Sequence, residues 1–231
     1  MSKLRTLAYA GLFVACILTA IDVMSFDLSF FEEFYSKNQI ADTIGITDEE
    51  LIAATENLLN YTQGKEEELD AKVWLDGTSM YMYNQREIDH MVDVKELYLG
   101  AMFVRNSLLV FFLLICVIDG IKHRFSSLIK HKESMFRALA GLLIFIGGIS
   151  LAALIDFNSF WNTFHHIFFR NDLWLLNPNT DRLILMVPLD FFIQLVTRIV
   201  IMSLVYISCI VSVVWILARK GGTRYDSRRP V

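Results

Sequence analysis

The chain has 231 residues, of which 55% are hydrophobic, with 18 Phe against 3 Pro and a mean hydropathy of +0.45, more apolar than an ordinary soluble domain. Its formal charge of -4 is segregated: acidic residues concentrate between Asp22 and Glu96, basic ones in Lys3–Arg5, Lys122–Arg137 and Arg219–Arg229, a topological signal and not a nucleic-acid footprint. The three cysteines, Cys16, Cys116 and Cys209, each lie inside an apolar run, so they read as buried small apolar residues and exclude a disulfide framework or a metal cluster.

Leu4–Val23 is the first apolar run, behind Lys3 and Arg5. A cleaved signal peptide is the competing reading. Phe13-Val14-Ala15-Cys16 hints at a lipoprotein cleavage site, but it lacks the usual Leu and the apolar run continues past Cys16, which favours an uncleaved span of about 20 residues. From Phe26 to Tyr98 the chain is acidic and polar. Thr47-Asp48-Glu49-Glu50 has the form of a capping box, followed by Leu51, Ile52, Leu58 and Leu59 at helical spacing, with Gly64 as the stop. Lys65–Lys72 reads as solvated, and Met80–Asn84 as a short strand or turn. Leu97–Ile118 is the second span, with Arg105 and Asn106 near its start, where a long side chain can snorkel to the interface. A basic loop with His123 and His131 follows, both read as solvated. The third span, Phe136–Leu154, carries Gly141, Gly147 and Gly148, read as points of close helix packing. Asp156–Asp190 mixes polar and aromatic residues, Asn177-Pro178-Asn179 is a turn, and Phe191–Leu217 is the fourth span before the basic tail.

The predicted architecture is therefore an all-α, single-domain membrane protein with four transmembrane helices, at about 4–24, 97–118, 136–155 and 191–217. The positive-inside rule puts Lys3/Arg5, the 122–137 loop and the tail in the cytoplasm, with both termini. Segments 25–96, mainly helical, and 156–190, shorter, are then extracytoplasmic.

This topology places His90, His165 and His166 on one side of the membrane, close to span ends. If residues 158–169 are helical, Asn158, Asn162 and His165 share a face and His166 points about 100° away. No HExxH or GxSxG motif is present, and a cysteine nucleophile would have to act from mid-span. What remains is histidine acid–base chemistry, with Glu87, Asp89 and Asp93 around His90, and Asn162 and Asp172 around His165. Interfacial histidines in an aromatic belt are the other reading of the same residues.

Three stretches carry more than their chemistry: Glu87-x-x-His90-Met91-x-Asp93-Val94-Lys95, Phe164-His165-x-x-Phe168-Phe169, and Asn171-Asp172-x-Trp174. Together with the span count and the acidic outer region, they resemble the lipoprotein intramolecular transacylases, small four-span membrane proteins of Gram-positive bacteria. The resemblance covers nearly the whole chain. It implies an acyltransferase acting on diacylglyceryl-modified lipoproteins at the bacterial cell membrane. The sn-2 acyl chain moves to the α-amino group of the same N-terminal cysteine, giving an N-acyl lyso-form lipoprotein. It implies His90 and His165 as the catalytic residues. Glu87, Asp93, Asn162, Asp172 and Trp174 support them, and no role carries to His166. No cofactor, metal or nucleic acid is expected, membrane lipid is an expected partner, and the oligomeric state stays open. The alternative is a non-catalytic sensor or partner subunit binding through its acidic outer region. A transporter ranks last, because ionisable groups at depth are few.

Overall fold

The computed structural model describes residues 2–123 and 132–226. Most of the basic loop, including His131, and the end of the basic tail lie outside the described residues. The elements run α1 (Ser2–Ser25), α2 (Leu28–Asn38), α3 (Ile40–Ile44), α4 (Asp48–Thr62), β1 (Lys72–Leu75), β2 (Thr78–Tyr81), α5 (Gln85–His123), α6 (Lys132–Ile155), α7 (Phe157–Phe168), α8 (Leu183–Met186) and α9 (Leu189–Asp226). Four of these, α1, α5, α6 and α9, are long and apolar enough to cross a membrane. Their outer faces expose residues such as Phe103, Ile144 and Leu154, at 74%, 78% and 84%, a pattern that water would penalise and lipid does not.

The chain divides into two compact units. The first holds residues 1–22, 102–154 and 198–231. Its core joins Tyr9, Phe13 and Cys16 of α1 to Met135 and Ala138 of α6 and Ile207 of α9. A Cβ on Gly11 would sit 3.2 Å from Leu108, so this glycine lets α1 and α5 approach closely. Gly141, Gly147 and Gly148 correct the sequence reading: a Cβ on any of them meets nothing within 4 Å. They lie on a helix whose apolar window is only 6% buried within this chain, so they do not serve packing here. Cys209 is likewise exposed, not buried. Two ion pairs cross between helices of this unit: Arg5 with Asp119 at 3.0 Å, and Arg105 with Asp22 at 2.5 Å. Arg105 therefore has a carboxylate partner in addition to any reach toward the interface.

The second unit holds residues 23–101 and 155–197. Thr47 and Glu50 form the expected capping box of α4, and Gly64 takes φ 73° just beyond its end. Phe30, Phe31 and Phe34 of α2 pack around Phe191 with ring centroids 4.9, 4.8 and 5.2 Å away. This mainly helical unit also holds one short sheet, whose second strand begins just before the Met80–Asn84 stretch expected to be a strand or turn: β1 and β2 pair antiparallel, with Leu75 opposite Thr78. Asp76 and Gly77, both at positive φ, close this hairpin as a two-residue loop.

The start of α5 positions the site. Asn84 accepts the first helical hydrogen bond, from Ile88 N–H, and its side chain accepts from Glu87 N–H at 3.1 Å. Asn84 N–H in turn donates to Glu87 Oε2 at 2.7 Å, a reciprocal cap. Glu87 Oε1 also accepts from Leu183 N–H at 2.5 Å, which ties α8 to this helix end. Helix α5 thus begins well before the predicted span. At 39 residues it is roughly 58 Å long, far more than about 30 Å of hydrocarbon requires. Its opening turns carry Glu87, Asp89, His90, Asp93 and Lys95, which would be costly within lipid.

Candidate active site

His90 projects from the second turn of α5 and His165 from the last turn of α7. Helix α7 starts where the Asp156 carboxylate accepts from Ser159 N–H and Ser159 O–H, and it ends as Phe169 turns to extended backbone. The two imidazoles are buried, and their ring centroids lie 6.3 Å apart. Phe169 closes one side, 5.5 Å from His90 and 5.6 Å from His165. Trp174 stacks on His165 at 4.7 Å, with the rings tilted by 25°. Trp161 meets His165 edge-on at 4.9 Å and rests on Phe192 at 4.2 Å. The adjacent His166 is exposed and touches Trp174 only edge-on.

One hydrogen bond sets the chemistry of His165. Its Nδ1 lies 2.8 Å from the backbone oxygen of Trp161. A carbonyl can only accept, so Nδ1 carries the proton and the neutral ring presents Nε2 as a lone pair. Burial lowers the His165 pKa below the ordinary histidine value, and the charge of His166 adds to this, while the bond to Trp161 opposes it. The ring is therefore neutral, and basic at Nε2, around pH 7. Among the described residues, the buried Nδ1 of His90 has no hydrogen-bond partner.

The supporting residues divide. Trp174 touches His165 directly. Asp93 accepts a hydrogen bond from the Asn171 side chain at 2.8 Å, and Glu87 braces the start of α5 and α8. Two expectations are corrected. The group that orients His165 is the Trp161 carbonyl, not the Asn162 amide or the Asp172 carboxylate, because a residue four positions earlier in a helix presents its carbonyl side to the ring. Asn158 is exposed, Asn162 is half-buried, and the Asp172 side chain is 79% exposed and faces Arg86. Trp161, Arg86 and Asn171 were absent from the predicted site. Helical spacing of Trp161 to His165 was the available signal for the first. Arg86, His90 and Asp93 share a helical face at i, i+4 and i+7, which was the signal for the second.

The fold is that of a multi-pass helical membrane protein that brings two buried imidazoles close together. Comparison with known proteins makes this specific. The family description "Lipoprotein intramolecular transacylase Lit" matches residues 6–192. No curated protein matches the chain. Among solved structures, the membrane-integral lipoprotein intramolecular transacylase Lit from Bacillus cereus superposes with a TM-score of 0.75 at 19% identity, covering 97% of this chain and 98% of that one. Two variants of the same Bacillus cereus protein, with a histidine replaced by arginine or by alanine, give TM-scores of 0.73 and 0.75 at 19% and 20% identity. Both comparisons cover at least 95% of either chain. The chain belongs to the lipoprotein intramolecular transacylase family and is a multi-pass membrane acyltransferase.

Proposed function

We propose that the chain moves the sn-2 acyl group of a diacylglyceryl-modified lipoprotein onto the α-amino group of the same N-terminal cysteine, with His90 and His165 as the catalytic pair. The observation that carries this reading is the pair itself: two buried rings 6.3 Å apart, one holding a defined basic nitrogen. The amine and the ester already share one molecule, so proximity needs no protein nucleophile. His165 Nε2 takes the proton that the amine loses as nitrogen bonds to the ester carbonyl carbon. The oxyanion that forms is held by an N–H of His90. As the tetrahedral centre collapses, the ester C–O bond breaks, and the imidazolium of His165 returns its proton to the glycerol oxygen. The balance is one amide formed, one ester lost and one hydroxyl released. Phe157, Trp161, Phe164 and Phe168 form a run of ring contacts at 5.9, 5.2 and 4.9 Å along α7, an apolar surface for the migrating chain.

In this reading the site faces the extracytoplasmic interface and both termini are cytoplasmic. The positive-inside rule supports this through the basic segments at Lys3–Arg5 and after residue 121. The substrate's head group resides at that interface, with its acyl chains in membrane lipid. The test is expression in bacteria lacking their usual lipoprotein N-acylation enzyme, with tandem mass spectrometry of the N-terminal lipopeptide. The cysteine should carry one N-acyl and one O-acyl chain. A free amine with both O-acyl chains retained contradicts the proposal. His90→Ala and His165→Ala should each lower product by at least about a hundredfold, the low end for losing an acid–base group. His166→Ala should be much milder, and equal loss at all three would count against the assignment.

A further inference from the structure

The segment Asn171–Leu175 holds Trp174 against His165, and two side chains of α5 grip it. Arg86 donates through one guanidinium nitrogen to the backbone oxygen of Asp172, and the same nitrogen lies 3.4 Å from that of Leu175. Its charge also lies 4.0 Å from the Asp172 carboxylate. One face further along, Asp93 accepts from Asn171 Nδ2 at 2.8 Å. Inside the segment, Asn171 Oδ1 accepts from Leu173 N–H at 3.2 Å, and the Trp174 indole N–H donates to Asn171 O at 3.0 Å. Asn171 thus contacts the segment through two atoms, Oδ1 and its backbone oxygen, and the helix through one, Nδ2. Arg86 and Asp93 flank His90 on its own helical face. The same docking therefore brings Trp174 onto His165 and places His165 beside His90.

We infer that Arg86 and the Asp93–Asn171 pair are positioning residues: they latch a strap, residues 171–175, whose Trp174 covers the catalytic imidazole and keeps water from it. The inference rests on His165 being the reacting group. The strap is held by polar contacts that are partly exposed, with Arg86 side-chain exposure at 39%, and its residues Asn171, Asp172 and Leu175 are themselves exposed. Such a segment opens more readily than the packed helices around it. Opening is also what admission of a bulky lipopeptide requires. Loss of one charge-assisted contact of this kind should shift the open population by about tenfold.

The test reads the strap without relying on catalysis. The purified full-length protein is treated with diethyl pyrocarbonate, and the modification rate of His165 is followed by peptide mass spectrometry beside kcat and KM. Arg86→Met and Asn171→Asp should each raise that rate about tenfold and lower kcat by a similar factor. The second change sets two carboxylates against each other. Adding Asp93→Asn to Asn171→Asp restores an amide–carboxylate pair in reversed polarity, so the double variant should return both rates to within about threefold of the parent. Arg86→Lys keeps the charge without the planar fork and should fall between. Unchanged His165 reactivity in both Arg86→Met and Asn171→Asp would overturn the strap, as would a double variant no better than Asn171→Asp. If His165→Ala proved fully active, the catalytic assignment would fail, while the reactivity series would still decide the latch.

Discussion

At the scale of single residues the site turns on one backbone oxygen. The Trp161 carbonyl fixes the tautomer of His165, and the surrounding aromatic rings lower its pKa by excluding water. The sign follows directly. Burial disfavours the charged ring, so protonation requires a pH below the usual value near 6.5, and the neutral base persists into mildly acidic conditions. Carbon-13 histidine spectra should show His165 titrating below that value. Trp174→Ala should move its midpoint upward, because water then reaches the ring; a midpoint unmoved by that change would contradict burial as the cause. His165 itself was legible as a titratable group beside lipid. Its partner Trp161 left only the four-residue helical spacing as a signal, since a backbone acceptor has no residue-type signature. Asp172 misled because a nearby carboxylate in sequence says nothing of where its side chain points.

At the scale of elements, the start of α5 carries the most consequence. The Glu87 carboxylate is 1% exposed and accepts from two backbone N–H groups, those of Asn84 and Leu183. Asn84 accepts from Glu87 N–H in return and donates to Asp181 at 2.8 Å, while Asp181 accepts from Asn177 N–H at 2.7 Å. A chain of hydrogen bonds thus runs from the helix start through the Asn177–Leu183 turn. Replacing Glu87 by Ala would leave two donors without this acceptor, at a cost on the order of 3 kcal/mol. Thermal unfolding in detergent should register this as a clear fall in Tm, and transacylation should decline with it. Glu87→Gln, which keeps one acceptor oxygen, should lose less, and a Glu87→Ala protein as stable as the parent would remove Glu87 from this bracing role. Asn-x-x-Glu at residues 84–87 was a readable cap, yet the predicted span began where lipid would, at Leu97, because hydropathy marks membrane depth and not helix ends. The hairpin was half legible: Asp76-Gly77 is a turn signal, but strands of four residues give too short a pattern to stand out.

Across the whole molecule, the four apolar helices were legible from length and hydropathy alone. The pairing of Arg5 with Asp119 was not, because charge near a span end reads as topology until the partner is seen. The same holds for His90 and His165: charge topology could place them on one side, and only the tertiary fold brings their rings to 6.3 Å. The three glycines of α6 illustrate the converse, a pattern that suggests contact while the face stays open. The reaction itself is tested most directly in vitro. The purified protein in liposomes is given an equal mixture of two diacylglyceryl lipopeptides, one deuterated in both its peptide and its sn-2 acyl chain, the other unlabelled. Intramolecular transfer predicts N-acylated lyso products in which labelled peptide carries only labelled N-acyl chains and unlabelled peptide only unlabelled ones. N-acyl chains scrambled between the two peptides, or diacylglyceryl groups left intact beside a free amine, would contradict it.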